Sequence, residues 1–229
     1  MAGKTKSGAL APVEDFVMGI MSNMPVCKSR FMTWASAYFN PMKEFDANKK
    51  DSNAGKIIVH LAIAGVVIWA ASFIATIISG GMTTAMFMLP GVIVTPIFLV
   101  IAAFIGSAIL FVIAKVLGAK GGFMEQTLGI SLVFGGYTLI DAPLTVLAAI
   151  PFIGWAFSLI ALLVALYALY SYYRLIKGVH KLSSIKAAIV ILLPIVVAIV
   201  LAAMLAAALA VMLAGMGLGA MGGMPQMPY

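Results

Sequence analysis

Asp141 is the residue whose type is best placed to do chemistry, since it is the one acidic side chain in a long apolar stretch, 126–173. On a helix, Tyr137, Thr138 and Thr145 lie within one turn of it. Counting from Gln126 at about 1.5 Å per residue puts Asp141 about 22 Å along, in the far half of a bilayer. With no cation in reach, its carboxyl should either be protonated or face water or a polar pocket.

Two interpretations of Asp141 remain open. In the first, it changes protonation at the proton or substrate site of a small transporter. In the second, a neutral carboxyl forms an interhelical hydrogen bond near a kink at Pro143, whose ring nitrogen cannot donate to the carbonyl of Leu139. A polar seam continues the same helix face and should point into a bundle. Its members are Thr127, Ser131, Gly135 and Thr138.

The other reactive side chains form no recognisable site. There is no nucleophile and base arrangement, phosphate loop or paired carboxylate, so neither an enzyme nor a cofactor is expected. Cys27 is the single cysteine, which excludes an internal disulfide. His60 and His180 could meet near one membrane face, but they lack an evident carboxylate partner for a metal site. Three methionines near the end could hold Cu(I), although a flexible tail is the simpler interpretation. They are Met221, Met224 and Met227.

The amino-acid composition indicates that the helices carrying Asp141 and its neighbours are surrounded by lipid. Hydrophobic residues make up 64% of the chain and charged residues 9%, which excludes a water-soluble globule. Residues 57–114 carry no charged group, a run too long for one span of about 20 residues. The sequence Ser-Gly-Gly-Met-Thr-Thr at 79–84 divides it into helices near 57–79 and 90–114.

The second half of the chain adds three further spans. Ile-Pro-Phe-Ile-Gly at 150–154 splits the stretch 126–173 into two helices, and an alanine-rich span follows near 187–214. The prediction is an all-α membrane protein, a five-helix transmembrane bundle. Residues 1–56 form an N-terminal region, 57–214 the membrane domain, and 215–229 a flexible tail rich in Gly and Met.

Charge placement predicts the orientation of these spans. All 14 basic residues lie in the N-terminal region or in the connections 115–120 and 174–186, and none lies in the hairpin tips or the tail. The positive-inside rule then places the N-terminus in the cytoplasm and the C-terminus outside. These basic residues should attract anionic lipid headgroups. Nucleic-acid binding is not expected, because many of the charges lie close to the membrane.

Two further patterns predict contact surfaces. Phe31, Trp34 and Tyr38 recur at helical spacing, which suits an interfacial helix in the headgroup layer, ended or bent by Pro41. That helix is either a docking surface for a cytoplasmic partner or a simple membrane anchor. In the last span, small residues repeat every four positions and allow close approach of a helix from this chain or a second subunit. They are Ala198, Ala202, Ala206, Ala210 and Ala214.

From residue 40 onward, four stretches follow in a recognisable order. They are 40–45 (Asn-Pro-Met-Lys-Glu-Phe), 135–137 (Gly-Gly-Tyr) with Pro143, 150–155 (Ile-Pro-Phe-Ile-Gly-Trp) and 178–188 (Gly-Val-His-Lys-Leu-Ser-Ser-Ile-Lys-Ala-Ala). This order resembles the Yip-one (Ypt-interacting protein) domain family of five-span membrane proteins, and the chain is closer to its prokaryotic type. For eukaryotic members the resemblance implies vesicle trafficking and binding of prenylated Rab-type GTPases; for prokaryotic members it implies a membrane protein of unknown role. It implies no catalytic residue.

The sequence therefore leads to two functional hypotheses. The first is a non-enzymatic membrane scaffold or adaptor of the Yip-one type, acting in membrane organisation or trafficking through its cytoplasmic helix and basic loops. The alternative is a small transporter or proton-coupled permease that uses Asp141.

Overall fold

The structure, a computed structural model, describes residues 28–221; within that range it consists of helices joined by short turns and loops, with no strand. Two short helices and one 3-10 turn precede five long helices. In chain order they are α1 (Lys28–Phe39), α2 (Pro41–Asn48), the 3-10 turn (Lys49–Asp51), α3 (Ala54–Met86), α4 (Gly91–Val116), α5 (Phe123–Ala148), α6 (Gly154–His180) and α7 (Ser184–Met221). The predictions on Cys27, Met224 and Met227 lie outside the described residues.

The five long helices confirm the predicted all-α fold. Each is long and apolar enough to cross a membrane, with mean hydropathy from 1.5 in α5 to 3.2 in α7. Leucine, isoleucine and valine cover their outer faces and are largely exposed, as expected where lipid replaces water. The protein is therefore an integral membrane protein with several spans.

Glycine and proline mark the helix boundaries, as the sequence predicts. Gly81 has φ 77° and ψ 170° within α3, a conformation that breaks the helix in the predicted segment 79–84. Pro41 is the first residue of α2, so α1 ends before it. The turn between α5 and α6 contains Phe152 at a positive φ of 69°.

The last helix differs from the prediction at its end. The helix of α7 continues past Ala214 to Met221, into the segment predicted to be a flexible tail. Alanine, leucine and methionine alternate there with single glycines, and these strong helix formers maintain the helix. The remainder of the predicted tail lies outside the described residues.

Helix α5 lies at the centre of the fold. It packs against α3, α4 and α6, and on its remaining side against α1 and α2. Helix α7 contacts chiefly α4 and α6 and lies at the periphery. The short helices α1 and α2 therefore belong to the packed core around α5 and do not lie apart from the spans.

Candidate functional site

The polar seam of α5 is buried, as predicted, but its central part packs on the chain's own α1. Ser131 and Thr138 are almost fully buried. Between them lie Gly135 and Gly136, and a Cβ at either position would overlap with Trp34. The two glycines thus form a groove in which the backbone and indole ring of α1 approach α5 closely.

The prediction that Phe31, Trp34 and Tyr38 form a docking surface is wrong for two of the three residues. Trp34 is 0% exposed and Tyr38 is 2% exposed, so neither is accessible to a partner or to headgroups. Phe31 is half-buried and meets Trp34 edge to face, with ring centroids 5.6 Å apart. An aromatic stripe fits a lipid interface and a protein groove equally well, and here Gly135 and Gly136 provide the groove.

Trp34 anchors α1 to the first span. Its indole Nε1–H donates to His60 Nδ1 over 3.0 Å, and both side chains are buried. Because an indole nitrogen can only donate, His60 Nδ1 must be the accepting nitrogen of a neutral ring. The bond fixes both the tautomer and the ring orientation of His60.

The C-terminal half of α1 is fixed to α6 by three hydrogen bonds. The Tyr38 hydroxyl donates to the Val164 carbonyl over 2.6 Å, and Ser171 Oγ donates to the Tyr38 carbonyl over 2.7 Å. Arg174 Nη1 donates to the Phe39 carbonyl over 3.2 Å. Burial raises the pKa of Tyr38 above its ordinary value, so its hydroxyl remains a donor. The last turn of α1 is thereby capped by side chains of a span.

Helix α2 continues the same rigid unit. Ser36 Oγ of α1 donates to Glu44 Oε1 of α2 over 2.7 Å. Phe45 is buried among Val133 of α5 and Leu175 of α6. The outer side of α2 and the 3-10 turn that follows it carry exposed charged residues. They are Lys43, Asp46, Lys49 and Lys50.

Asp141 lies one to two turns beyond the groove. Its carboxyl is half-exposed and interacts with Tyr137 and more weakly with Tyr38. Thr138 Oγ1 is buried and has no hydrogen-bond partner among the described residues, while Thr145 is half-buried. The structure thus places Tyr137 beside Asp141 and directs Thr138 elsewhere into the packed interior.

A second polar cluster, which the sequence analysis missed, joins three spans. Gln126 Nε2 donates to the Ser107 carbonyl over 2.7 Å, and the buried Thr127 hydroxyl lies 2.6 Å from Ser107 Oγ. The Ser107 carbonyl can only accept a hydrogen bond, so the side-chain NH₂ group of Gln126 must point toward it. The other end of the Gln126 amide, Oε1, therefore faces His180 Nε2 at 2.6 Å, and because Oε1 can only accept, His180 Nε2 must be the donor. His180 is therefore the Nε2–H tautomer. Its Nδ1 is buried, with no hydrogen-bond partner in the described part of the chain.

The two histidines thus belong to separate networks, His60 with Trp34 and His180 with Gln126. Across residues 28–221, no three His, Cys, Asp or Glu side chains come close enough to share a metal ion. The sequence signal for the second cluster was weak, because Gln126 and Ser107 are lone polar residues in different spans.

An apolar cavity of about 350 Å³ lies among the spans. Its lining includes Leu61, Leu99, Phe134, Tyr172 and Pro194, so all five long helices contribute. The walls are hydrocarbon and aromatic, and this chemistry suits an apolar chain.

A comparison with protein families supports the order of motifs found in the sequence. The model of one family, described as the Yip1 domain, matches residues 35–207. No curated protein and no solved structure matches the chain. The matched range begins beside Trp34, so it includes the last five residues of α1 as well as the spans.

Proposed function

This chain belongs to the Yip1 domain family, and from that premise we propose that it is a non-enzymatic membrane scaffold or adaptor. Five apolar helices and the family membership already establish a multi-span membrane protein of the Yip1 type. The scaffold proposal adds that the chain organises other proteins at the membrane, in membrane organisation or trafficking.

The observation that carries the proposal is the rigid attachment of α1 and α2 to the spans. Trp34 and Tyr38 bind the chain's own helices, and Phe45 fixes α2 beside them. A binding surface held in a fixed orientation loses little conformational entropy when a partner docks. We place the docking surface on the exposed charged side of α2 and the adjoining 3-10 turn, including Lys43 and Lys50, instead of on the aromatic side of α1.

The proposed orientation puts α2 in the cytoplasm and the end of α3, beyond the break at Gly81, outside, following the positive-inside rule. Cys27 is the single cysteine, so a Cys27→Ser background permits site-specific labelling. Lys50→Cys should react with a membrane-impermeant maleimide only when the cytoplasmic side is open, and Thr83→Cys only from the outside. The reverse labelling would overturn the orientation.

We also propose that the alanine stripe of α7 joins two copies of the chain. Ala198, Ala202, Ala206 and Ala210 are all exposed, so none of them is used by a helix of the same chain. Small residues at four-residue spacing let a second helix approach closely in lipid. The stripe is therefore available to a second subunit.

The scaffold proposal is tested by cross-linking in native membranes. A photoreactive residue at Ala47, which is exposed on α2, should capture a defined set of membrane-associated proteins. The capture should fall when Lys43 and Lys50 are changed to Gln, and it should be unchanged when Lys120, an exposed lysine elsewhere, is changed in the same way.

Transport is the competing outcome. Wild-type protein and Asp141→Asn should show the same absence of proton flux in proteoliposomes, because α1 fills the central part of the polar seam. A pH-dependent flux that the Asp141→Asn variant loses would overturn the scaffold proposal in favour of a proton-coupled permease.

A further inference from the structure

We propose that the basic pocket at the end of α6 binds the phosphate headgroup of an anionic membrane lipid. The basic pocket is a surface cavity of about 690 Å³ between α2 and the last turns of α6. Its lining residues are Met42, Tyr170, Tyr173, Arg174, Lys177, Gly178, Lys181 and Leu182. The inference does not depend on the scaffold proposal, since it rests on this cavity alone.

Helical spacing brings the three cations of the basic pocket together. Arg174, Lys177 and Lys181 follow at intervals of three and four residues along one side of α6 and its C-cap. Met42 of α2 closes the cavity from the side, because it packs so tightly on Gly178 that a Cβ there would overlap its sulfur. The cations therefore converge on a cavity with a fixed wall.

The positive charge of the basic pocket is not neutralised by a carboxylate. Its lining contains no Asp or Glu, and no salt bridge involves its three cations in the part of the chain that the structure describes. Arg174 donates to a backbone carbonyl and Lys177 to Ser184 Oγ over 2.9 Å, both neutral acceptors. A phosphate group would supply the missing negative charge and accept hydrogen bonds from more than one of these donors.

Other basic residues of the chain differ from those in the basic pocket. Lys115 donates to the Ala119 carbonyl over 3.3 Å, and Lys186 donates to the Leu117 carbonyl over 2.9 Å. Both therefore satisfy free carbonyls at the end of α4, which is a structural role. Lys181 instead is exposed at the rim of the basic pocket, with no hydrogen bond assigned to its side chain among the described residues.

The apolar part of the basic pocket favours a lipid over a free anion. Tyr170 is 52% exposed on the outer side of α6, and the Arg174 guanidinium lies 5.8 Å from its ring centroid. The cations follow directly after the apolar part of the span, where headgroups lie, and tyrosine rings favour that depth. Leu182 and Met42 extend the apolar lining, so a phosphate and the first part of an acyl chain fit together.

Native mass spectrometry of the full chain in detergent tests the proposal. The probes are dioctanoyl phosphatidylglycerol and dioctanoyl phosphatidylcholine. Wild-type protein should retain the anionic lipid preferentially. The Lys177→Gln/Lys181→Gln variant should bind it about thirtyfold more weakly, because two headgroup-proximal cations are lost. The control Lys50→Gln/Lys120→Gln removes the same charge outside the basic pocket and should bind like wild type.

Three results with these two lipids and variants would overturn the proposal. They are equal retention of the two lipids by wild type, equal loss of binding in the control variant, and complete displacement of the lipid by millimolar inorganic phosphate, which would indicate a free-anion site. If the double variant unfolds, Lys181→Gln alone serves as the test, because the Lys181 side chain makes no hydrogen bond in the described part of the chain. This single variant should weaken lipid binding several-fold. Unchanged binding in that single variant would also overturn the proposal.

Discussion

Helices α5 and α7 are both long enough to span a membrane, but α5 is the less hydrophobic and more buried of the two. The most apolar 18-residue stretch of α5 has a mean hydropathy of 1.5, and 33% of its residues are buried in the protein. The corresponding stretch of α7 has a mean hydropathy of 3.2, and 11% of its residues are buried. On α5, polar side chains and glycines are buried against other helices; on α7, Ala187, Val190 and Ile191 are buried, and residues 195–212 are exposed. In lipid, burial of an apolar side chain against protein gives little advantage over contact with hydrocarbon.

The two helices also show two different uses of small residues, one for packing within the chain and one on an exposed face. Gly135 and Gly136 are occupied by Trp34, and a Cβ would overlap with it. Ala202 and Ala206 are exposed within one chain. A small residue therefore marks a contact, but only the structure shows whether that contact lies within the chain or is left for another molecule.

The largest effect should come from filling the groove of α5. Gly136→Ala should lower the free energy of unfolding by about 3 kcal/mol, because the added methyl overlaps with backbone atoms of Trp34. Gly106→Ala is the matched control, since a Cβ there meets nothing within 4 Å; it should be neutral or slightly stabilising. Denaturant titration in detergent measures both, and equal stabilities would refute the close packing of α1.

A smaller effect is expected at the buried cluster of three spans. Gln126→Leu removes the acceptor for His180 Nε2–H and leaves that donor buried without a partner. The expected loss is about 2 kcal/mol by the same titration. Gln126→Glu retains an acceptor at this position and should lose less if it is protonated. A Leu variant as stable as wild type would show that the cluster contributes nothing to α5.

The bond between Trp34 and His60 should contribute less again. Trp34→Phe keeps an aromatic ring but removes the donor to His60 Nδ1, for an expected loss of about 1 kcal/mol. Trp155→Phe is the control, because Trp155 is mostly exposed near the start of α6. If the two variants have the same free energy of unfolding, the indole hydrogen bond does not hold α1 in place.

The smallest effect on unfolding should come from α7. Ala202→Leu/Ala206→Leu should leave the free energy of unfolding within about 0.5 kcal/mol of wild type, since both positions face outward. The same variant should lose the dimer in light scattering if the stripe joins two copies. A dimer that survives both substitutions would assign α7 to lipid contact alone.

Sequence reasoning predicted the spans well because length and charge-free runs leave few alternatives in a bilayer. It placed the break of α3 within 79–84, where Gly81 is found, and the end or bend of the N-terminal helix at Pro41, from residue types whose backbone preferences are strong. Helix ends were less certain: α7 runs on to Met221 because alanine and methionine maintain the helix through single glycines.

The candidate site could be predicted only in part. The burial of Ser131 and Thr138 followed from helical periodicity, but the identity of the helix that covers them did not. The aromatic side chains of α1 gave no indication of whether lipid or Gly135 would receive them. The pairing of Gln126 with His180 joins residues 54 positions apart and depends on how the spans are arranged.

The attachment of α1 to α6 has a consequence for biosynthesis. The hydrogen bonds that fix its end join residues 126, 133 and 135 positions apart, so α1 is synthesised long before its partners. At about 5–20 residues per second, the delay is on the order of 10 s. Until α5 and α6 have inserted, Trp34 and Tyr38 have no groove to enter. Although α1 is the first helix in the described part of the chain, it can assemble fully only after α5 and α6 have been made.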